Sequence, residues 1–366
     1  MDFEMPASIE ALAEEARAVG EIVARERPLR EDSWVIGFDR GFSLEMGRRG
    51  WLGMTWPVSE GGHGRTPLER FVVTEALITA GAPIAASWVG DRQIGPTLLA
   101  FGSVDQRRRY IPDMVAGRTS WCLGLSEPDS GSDLASLRTR AVRRGDSYVV
   151  EGRKIWTSFG ALADHCYLVA RTNAEAPPHA GLSELVVDMQ SPGVVARPIV
   201  DATRAAHFCE VEFDGVHVPA ENLVGTVDGS WRQVTRQLEH ERGGIDRLVS
   251  NRALFLDVLE HVDTSDALVR QEVAALEGAF RVGRLLVLRE TLGQAPRHFS
   301  AATKVFCTEL EQRVAGFCAR VLGPGSLVWG PVARAACYAP AYSIMGGTSS
   351  ILRNVVAERL LGLPRA

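Results

Sequence analysis

The spacing of apolar residues changes twice along the chain, and each change marks a different kind of secondary structure. Near the start, Ile9, Leu12 and Ala16 recur every three or four residues, which predicts one face of a helix. A turn-rich stretch at 56–64 separates this helix from later helical patterns of the same period. We therefore predict an N-terminal helical domain over residues 1–118.

From residue 120 onward, short alternating apolar runs stand between closely spaced glycines and prolines. The runs at 139–143 and 147–150 flank the pair Gly145-Asp146, which predicts a β-hairpin. Further runs of this kind occupy 166–170, 185–187, 194–200 and 209–213. This punctuation favours a compact antiparallel barrel or sandwich, and we predict a central antiparallel β-barrel domain over residues 119–226.

The helical period returns near residue 227 and continues to the end of the sequence. Helical patterns cover 272–292 and 303–322, and a last one predicts a helix over 342–360. These patterns predict a C-terminal helical bundle over residues 227–366. The chain as a whole is therefore predicted to be an α+β protein with three domains.

Composition narrows the function classes without naming one. The net charge of −5 over 366 residues gives no basic surface, which excludes nucleic acid as the expected partner. Six scattered cysteines without a C-x-x-C pair predict reduced thiols and no metal site. The acidic start and the lack of a long apolar run predict a cytoplasmic protein without a secretory signal or membrane span. Lysine occurs only at Lys154 and Lys304, which we attribute to genomic base composition.

Two segments carry the candidate chemistry. The first, residues 125–133, reads Leu-Ser-Glu-Pro-Asp-Ser-Gly-Ser-Asp and is polar and turn-forming, so its backbone N–H groups are available to an electron-rich ligand. The second, residues 152–158, reads Gly-Arg-Lys-Ile-Trp-Thr-Ser. It sets the aromatic plane of Trp156 beside the hydroxyls of Thr157 and Ser158, which suits a flat heteroaromatic ring.

Together these segments resemble the flavin-binding signature of the acyl-CoA dehydrogenase family. The resemblance extends to Trp56-Pro57 with 61–64, to 208–219, and to the closing stretch 347–364. It implies FAD as the cofactor and α,β-dehydrogenation of an acyl-CoA thioester as the reaction. The residues that it assigns to the cofactor are Leu123, Leu125, Ser126, Gly131, Ser132, Trp156, Thr157, Ser158 and Thr348. It assigns Ser132, Arg242, Gly346 and Gly347 to the acyl-CoA.

The position of the catalytic base departs from the commonest pattern of that family. Many members carry a glutamate immediately before Gly-Thr in the last domain, where this chain has Gly346. Other members place the base in a Glu-Arg pair on an earlier helix, and Glu241 with Arg242 matches that position. Glu239 lies about 200° away around the same helix, so only one of the two carboxylates can face the site. The resemblance thus implies Glu241 as base, with the backbone N–H of Gly346 left to bind the thioester oxygen and room for a branched or bulky acyl group.

Two further family motifs, which reach the FAD of a neighbouring subunit, are missing. No Phe-Gly pair occurs in the last domain, and the later Gln-x-x-Gly-Gly element is replaced by residues 320–325. One interpretation is a heteromer, in which a second acyl-CoA dehydrogenase-like chain supplies the missing contacts, as in bacterial members that degrade steroid side chains. The other is a homo-oligomer that binds FAD through different residues. The family also implies an electron-transfer flavoprotein as acceptor.

Two other functions stay open at this point. A flavin oxidase or monooxygenase on the same fold would use the same ring pocket but admit oxygen. A non-catalytic subunit that scaffolds an active partner would explain the missing motifs. The intact segments at 125–133 and 152–158 argue against the scaffold, because a lost flavin site would relax them.

Overall fold

The computed structural model describes residues 5–26, 30–242 and 244–365, and the side chains of 237–242 lie outside that description. The helices are α1 (Ala7–Glu26), α2 (Ser33–Ile36), α3 (Arg40–Arg48), α4 (Pro67–Thr79), α5 (Ala85–Val89), α6 (Gly95–Phe101), α7 (Val104–Val115), α8 (Ser230–Arg242), α9 (Arg252–Leu259), α10 (Ala267–Thr291), α11 (Phe299–Val321), α12 (Pro331–Tyr342) and α13 (Ser349–Val355). The strands are β1 (Trp121–Gly124), β2 (Arg140–Arg144), β3 (Ser147–Ser158), β4 (His165–Arg171), β5 (Leu182–Asp188), β6 (Val194–Ile199), β7 (Phe208–Pro219) and β8 (Leu223–Val224). The α+β class is confirmed.

The chain forms two compact units that interleave along the sequence. The first unit contains Met1–Asp39, Arg65–Ala85 and Glu239–Ala366, and the second contains Arg40–Gly64 and Ala86–Leu238. Helices α1 and α4 therefore fold with the C-terminal helices, whereas α3, α6 and α7 fold with the strands. The division into three domains at 118 and 226 stays a prediction. Among the described helices, none combines the length and the apolarity needed to cross a membrane.

The strands form one open sheet, so the closed antiparallel barrel predicted over 119–226 is wrong. The strand order is β6-β7-β3-β2-β4-β5-β8, and β1 pairs with β4. The β1/β4 and β2/β4 pairs are parallel, which an antiparallel barrel excludes. At one end of the path, β6 carries Pro198, which has no N–H for a further ladder and suits an edge strand. Strands β3 and β7 are also longer than the predicted runs, because they continue through Gly152 and Gly215, and turn residues do not specify which strands pair.

The predicted hairpin is confirmed. Strands β2 and β3 pair antiparallel from Arg144↔Ser147 outward, around the two residues Gly145 and Asp146. Gly145 has φ +57°, the left-handed conformation that a two-residue hairpin turn requires at its first position and that glycine adopts without a steric penalty.

The core of the second unit lies on the sheet. Strands β4 and β5 are buried over nearly their whole length, as expected for strands covered on both faces. Three free thiols, Cys122, Cys166 and Cys209, belong to this core and pack with aliphatic side chains. Their burial makes them behave as small apolar groups.

The helix predicted over 342–360 is interrupted by a turn. Helix α12 ends at Tyr342, and α13 begins at Ser349. Between them Gly346 has φ +64° and Gly347 has φ +93°, so two successive residues leave the helical region. Thr348 then starts α13 as its N-cap, because its hydroxyl accepts a hydrogen bond from the Ile351 N–H at 3.1 Å.

Candidate functional site

The loop that follows β1 is a tight polar hairpin. Glu127 and Ser130 exchange backbone hydrogen bonds of 2.8 and 3.0 Å, with Pro128 and Asp129 at the tip. The Ser130 hydroxyl donates to the Asp133 carbonyl at 2.7 Å, which fixes the end of the loop. The predicted cofactor residues here fall into two groups: Leu123, Leu125 and Ser126 are half-buried at the base, whereas Gly131 and Ser132 are exposed near the tip.

Glu127 anchors this loop from inside the protein. Its carboxylate accepts hydrogen bonds from the backbone N–H of Arg138 at 2.6 Å and of Thr139 at 2.8 Å. It also accepts from the Lys154 ammonium at 2.9 Å. Burial raises the pKa of Glu127, but the Lys154 charge and these donors outweigh burial and hold the pKa below its ordinary value. The carboxylate is therefore ionised and fully hydrogen-bonded in the folded protein.

Lys154 joins the two candidate segments to each other. Its side chain has no exposed surface, and its Nζ donates to the Leu125 carbonyl at 3.0 Å as well as to Glu127. Gly124, at the end of β1, leaves space for the neighbouring strand, since a Cβ there would lie 2.9 Å from Leu168 Cδ1 and 3.0 Å from Cys166 Sγ. The Ile155 N–H donates to the Ser126 carbonyl at 2.9 Å, so the segments are also linked through the backbone.

Trp156 stands at a β-bulge in β3. The β3/β7 register shifts between Lys154 and Thr157, because Ile155 and Trp156 together oppose one residue of β7. Trp156 has φ +58°, a strained conformation for a residue with a large side chain. The residue is 54% exposed, and its ring contacts Phe208 edge to face at a centroid distance of 5.7 Å. A strained, half-exposed aromatic plane is typical of a ligand platform.

The two hydroxyls beside Trp156 have different surroundings. Thr157 is buried, and its Oγ1 has no hydrogen-bond partner among the residues that the structure describes. Ser158 is half-buried at the end of β3, opposite Phe208 of β7. A buried hydroxyl without a partner is a costly feature that a polar ligand edge can satisfy. The contacts of Lys154 and Ile155 join the segment 152–158 to the 125–133 loop, and the roles of Trp156, Thr157 and Ser158 toward a cofactor stay predictions.

The remaining predicted site residues belong to the first unit or to the end of α8. Glu241 and Arg242 lie in the last turn of α8, but their side chains are outside the described part of the chain. Gly346 and Gly347 form the left-handed turn before α13, and the Thr348 hydroxyl is engaged as the helix cap. These roles toward a cofactor or a substrate stay predictions.

The structure draws attention to three buried charged residues that the sequence patterns do not single out. Glu127 and Lys154 were part of the quoted motifs but received no role, and Lys304 was treated only as a rarity of composition. The available signal was that the chain has only two lysines, one of which, Lys154, lies within the candidate segment 152–158. Both lysines have no exposed surface, which a bias in base composition does not explain.

Three domain models match the chain in order. The N-terminal domain of acyl-CoA dehydrogenases matches residues 7–118, the middle domain matches 122–216, and the C-terminal domain matches 229–361. The protein named acyl-CoA dehydrogenase FadE26 of Mycobacterium tuberculosis is 35% identical over 355 residues, which cover 88% of this chain and 87% of that protein.

Two solved structures share the fold over the whole chain. A structure described as the Tcur3481-Tcur3483 steroid ACAD superimposes with a TM-score of 0.90 at 31% identity and covers 100% of both chains. The ChsE4-ChsE5 complex from Mycobacterium tuberculosis superimposes with a TM-score of 0.87 at 31% identity, again with 100% of both chains covered.

Proposed function

The chain belongs to the acyl-CoA dehydrogenase family, and from that premise we propose that it catalyses FAD-dependent α,β-dehydrogenation of an acyl-CoA thioester. The observation that carries the proposal is the joined pair of segments at 125–133 and 152–158. The buried Lys154 ammonium binds both the Leu125 carbonyl and the Glu127 carboxylate. These contacts hold the polar loop 125–133 beside the segment that carries the exposed Trp156 side chain.

The residues present fit a flavin ring. Trp156 offers a half-exposed face for stacking, and the buried Thr157 hydroxyl lacks a protein partner among the described residues. Ser126 and Ser132 add hydroxyls along the loop, and Ser158 adds one at the end of β3. A bound flavin supplies the hydride acceptor for the Cβ hydrogen of the substrate. The protein contributes the stacking face, the hydrogen bonds to the ring edge and the exclusion of water.

Glu241 is the proposed base that removes the α proton of the acyl group. Its position at the end of α8 matches the Glu-Arg pair of the family, and Gly346 has no side chain that could replace it. The Gly346 backbone N–H is the proposed donor to the thioester oxygen, which gains charge as the proton leaves. Arg242 is proposed to contact the CoA.

The proposed substrate carries a branched or bulky acyl group, in catabolism of the β-oxidation type. Two observations support this choice. Position 346, where many family members carry a glutamate, has no side chain in this protein, and one structural neighbour is described as a steroid ACAD. All six cysteines are free thiols, five of them buried and Cys337 exposed, which fits a reducing compartment, so we propose a cytoplasmic location.

The proposed assembly is a heteromer with a second acyl-CoA dehydrogenase-like chain. The motifs that reach a neighbour's FAD are missing: residues 260–266 form a turn after α9, and Gly323–Leu327 forms a short 3-10 helix. Both similar structures described above pair two differently named chains. An electron-transfer flavoprotein is the proposed electron acceptor.

Purification of the chain alone and with a related chain encoded beside it tests the assembly and the chemistry together. We expect a yellow, FAD-containing protein only from co-expression, and anaerobic acyl-CoA should bleach the flavin. Stoichiometric FAD in the chain alone would contradict the heteromer and leave the dehydrogenase intact. Rapid oxygen consumption with hydrogen peroxide release would favour an oxidase. If acyl-CoA still bleaches the flavin of the complex after Trp156 and Glu241 of this chain have been replaced, the result would favour a non-catalytic subunit that scaffolds an active partner.

The base assignment has a matched control on the same helix. Glu241→Gln should abolish bleaching while preserving FAD content, because the amide cannot accept the α proton. Glu239→Gln removes the same charge about 200° around α8 and should bleach at the wild-type rate. Equal rates for the two variants would exclude Glu241 as base.

A further inference from the structure

The turn between α12 and α13 is held by a buried lysine. Lys304 lies in α11 and has no exposed surface. Its Nζ donates to the Tyr342 carbonyl at 2.8 Å and to the Gly347 carbonyl at 3.0 Å. One ammonium group therefore binds the backbone on both sides of residues 343–346.

The first of these carbonyls is fixed from a second direction. Tyr342 is the last residue of α12, and its hydroxyl accepts from Asn251 Nδ2 at 2.9 Å and donates to Asp32. Glu311, which is fully buried, accepts from both the backbone N–H and the side-chain amide of Asn251 at 2.9 Å. The end of α12 is thus a rigid platform, and the turn begins from a fixed point.

A lysine suits this place for two physical reasons. The carbonyl groups at the end of α12 carry the negative end of the helix dipole, and a cation there is stabilising. The second reason concerns orientation: in a trans peptide the C=O and the following N–H point in opposite directions. Because Nζ holds the Gly347 carbonyl, the Thr348 N–H must point away from Lys304. Both ends of the turn are thereby held by one buried side chain.

Resting on the function proposed above, we propose that Lys304 is a positioning residue for thioester activation. It holds the turn so that the Gly346 N–H meets the thioester oxygen at the developing negative charge. Without the ammonium, the two left-handed glycines have many alternative conformations. A displacement of about 1 Å of such a donor costs on the order of 100-fold in rate.

The test compares two CoA ligands that differ only at the carbonyl. Lys304→Met in the purified complex should lower the rate of flavin reduction by acyl-CoA about 100-fold and weaken acyl-CoA binding. Binding of the matching alkyl-CoA thioether, which has no carbonyl, should be unchanged. The control Thr308→Val removes a buried hydrogen bond one turn further along α11 and should leave both ligands unaffected.

Equal weakening of both ligands, or none, would overturn the role of Lys304. A wild-type complex that acyl-CoA does not reduce would refute the proposed function instead, so the two failures are distinguishable. If Lys304→Met does not fold, the wild-type chain can be labelled with an NMR-active nitrogen isotope at its lysine Nζ atoms, and the signals of these atoms then test the same role of Lys304. The chain has two lysines, so two signals are expected. The Lys304 signal should shift with the thioester and not with the thioether; an equal response to both would again overturn the proposal.

Discussion

A buried carboxyl group makes the stability of the second unit depend on pH. Glu184 in β5 has no exposed surface. Its Oε2 accepts from the Tyr167 hydroxyl at 2.6 Å and from the Gln233 amide in the first turn of α8. Its Oε1 is buried without a partner among the described residues. Burial raises the pKa of Glu184 to about 7, because ionisation would place a charge in a dry environment.

The magnitude follows from linkage. The pKa rises from 4.5 to about 7, so between these values the unfolded chain is ionised while folded Glu184 keeps its proton. The free energy of unfolding therefore falls as pH rises through this window, by about 3 kcal/mol for this group. Above about pH 7 both states are ionised, and the contribution of the group no longer changes.

Glu184→Gln removes the titration and keeps the shape. The free energy of unfolding of the variant relative to wild type should rise by about 3 kcal/mol from about pH 4.5 to about pH 7.5. Urea denaturation followed by tryptophan fluorescence at these two pH values measures the difference. Glu175→Gln, in an exposed loop after β4, is the control and should show no such rise. A pH-independent difference for Glu184→Gln would refute the reasoning.

The remaining predictions concern the two candidate segments and the glycine turn. Lys154→Met leaves the Glu127 carboxylate buried without its cation and should cost about 3–5 kcal/mol in urea denaturation; a loss below about 1 kcal/mol would contradict the buried pair. At position 156, Trp156→Gly should be about 1 kcal/mol more stable than Trp156→Ala, the reverse of the usual order in a strand, because φ is positive there; the usual order in the melting curves would argue against strain. Gly346→Ala should lower the free energy of unfolding by about 1–2 kcal/mol, because φ is positive there. The control Gly278→Ala, in open space inside α10, should raise it by up to about 1 kcal/mol. Equal effects of the two substitutions on thermal unfolding would contradict the left-handed turn.

Local patterns predicted local structure well. The Gly145-Asp146 hairpin followed from two turn residues between alternating runs, and its register needs no distant contact. The neighbourhood of Trp156 with the 125–133 loop followed from a family resemblance rather than from periodicity. The bulge that strains Trp156 could not be predicted, because it depends on the pairing of β3 with β7, about 50 residues later.

The errors came from contacts between distant parts of the sequence. Closure of a barrel depends on which strands meet, and turn residues carry no information about partners. The Lys304 contact with the Gly347 carbonyl joins α11 to a turn 43 residues later, and nothing local to Lys304 indicates it. Glu184 likewise lies in an apolar strand, at a position where the alternation of apolar and polar residues predicts a surface side chain. Only its burial in the structure indicates that its carboxyl group keeps its proton.

Because both ε-amines of this chain are buried, its folded surface offers no lysine to amine-directed reagents. An acylating reagent reaches Lys154 only when the loop over it opens, and it reaches Lys304 only when the turn before α13 opens. The rate of native-state acylation at each position therefore reports the opening free energy of one site element. Lys154 reports on the second unit and Lys304 on the first, so the chain contains two independent internal probes of local unfolding. The same burial withholds both positions from lysine acetylation for as long as the protein stays folded.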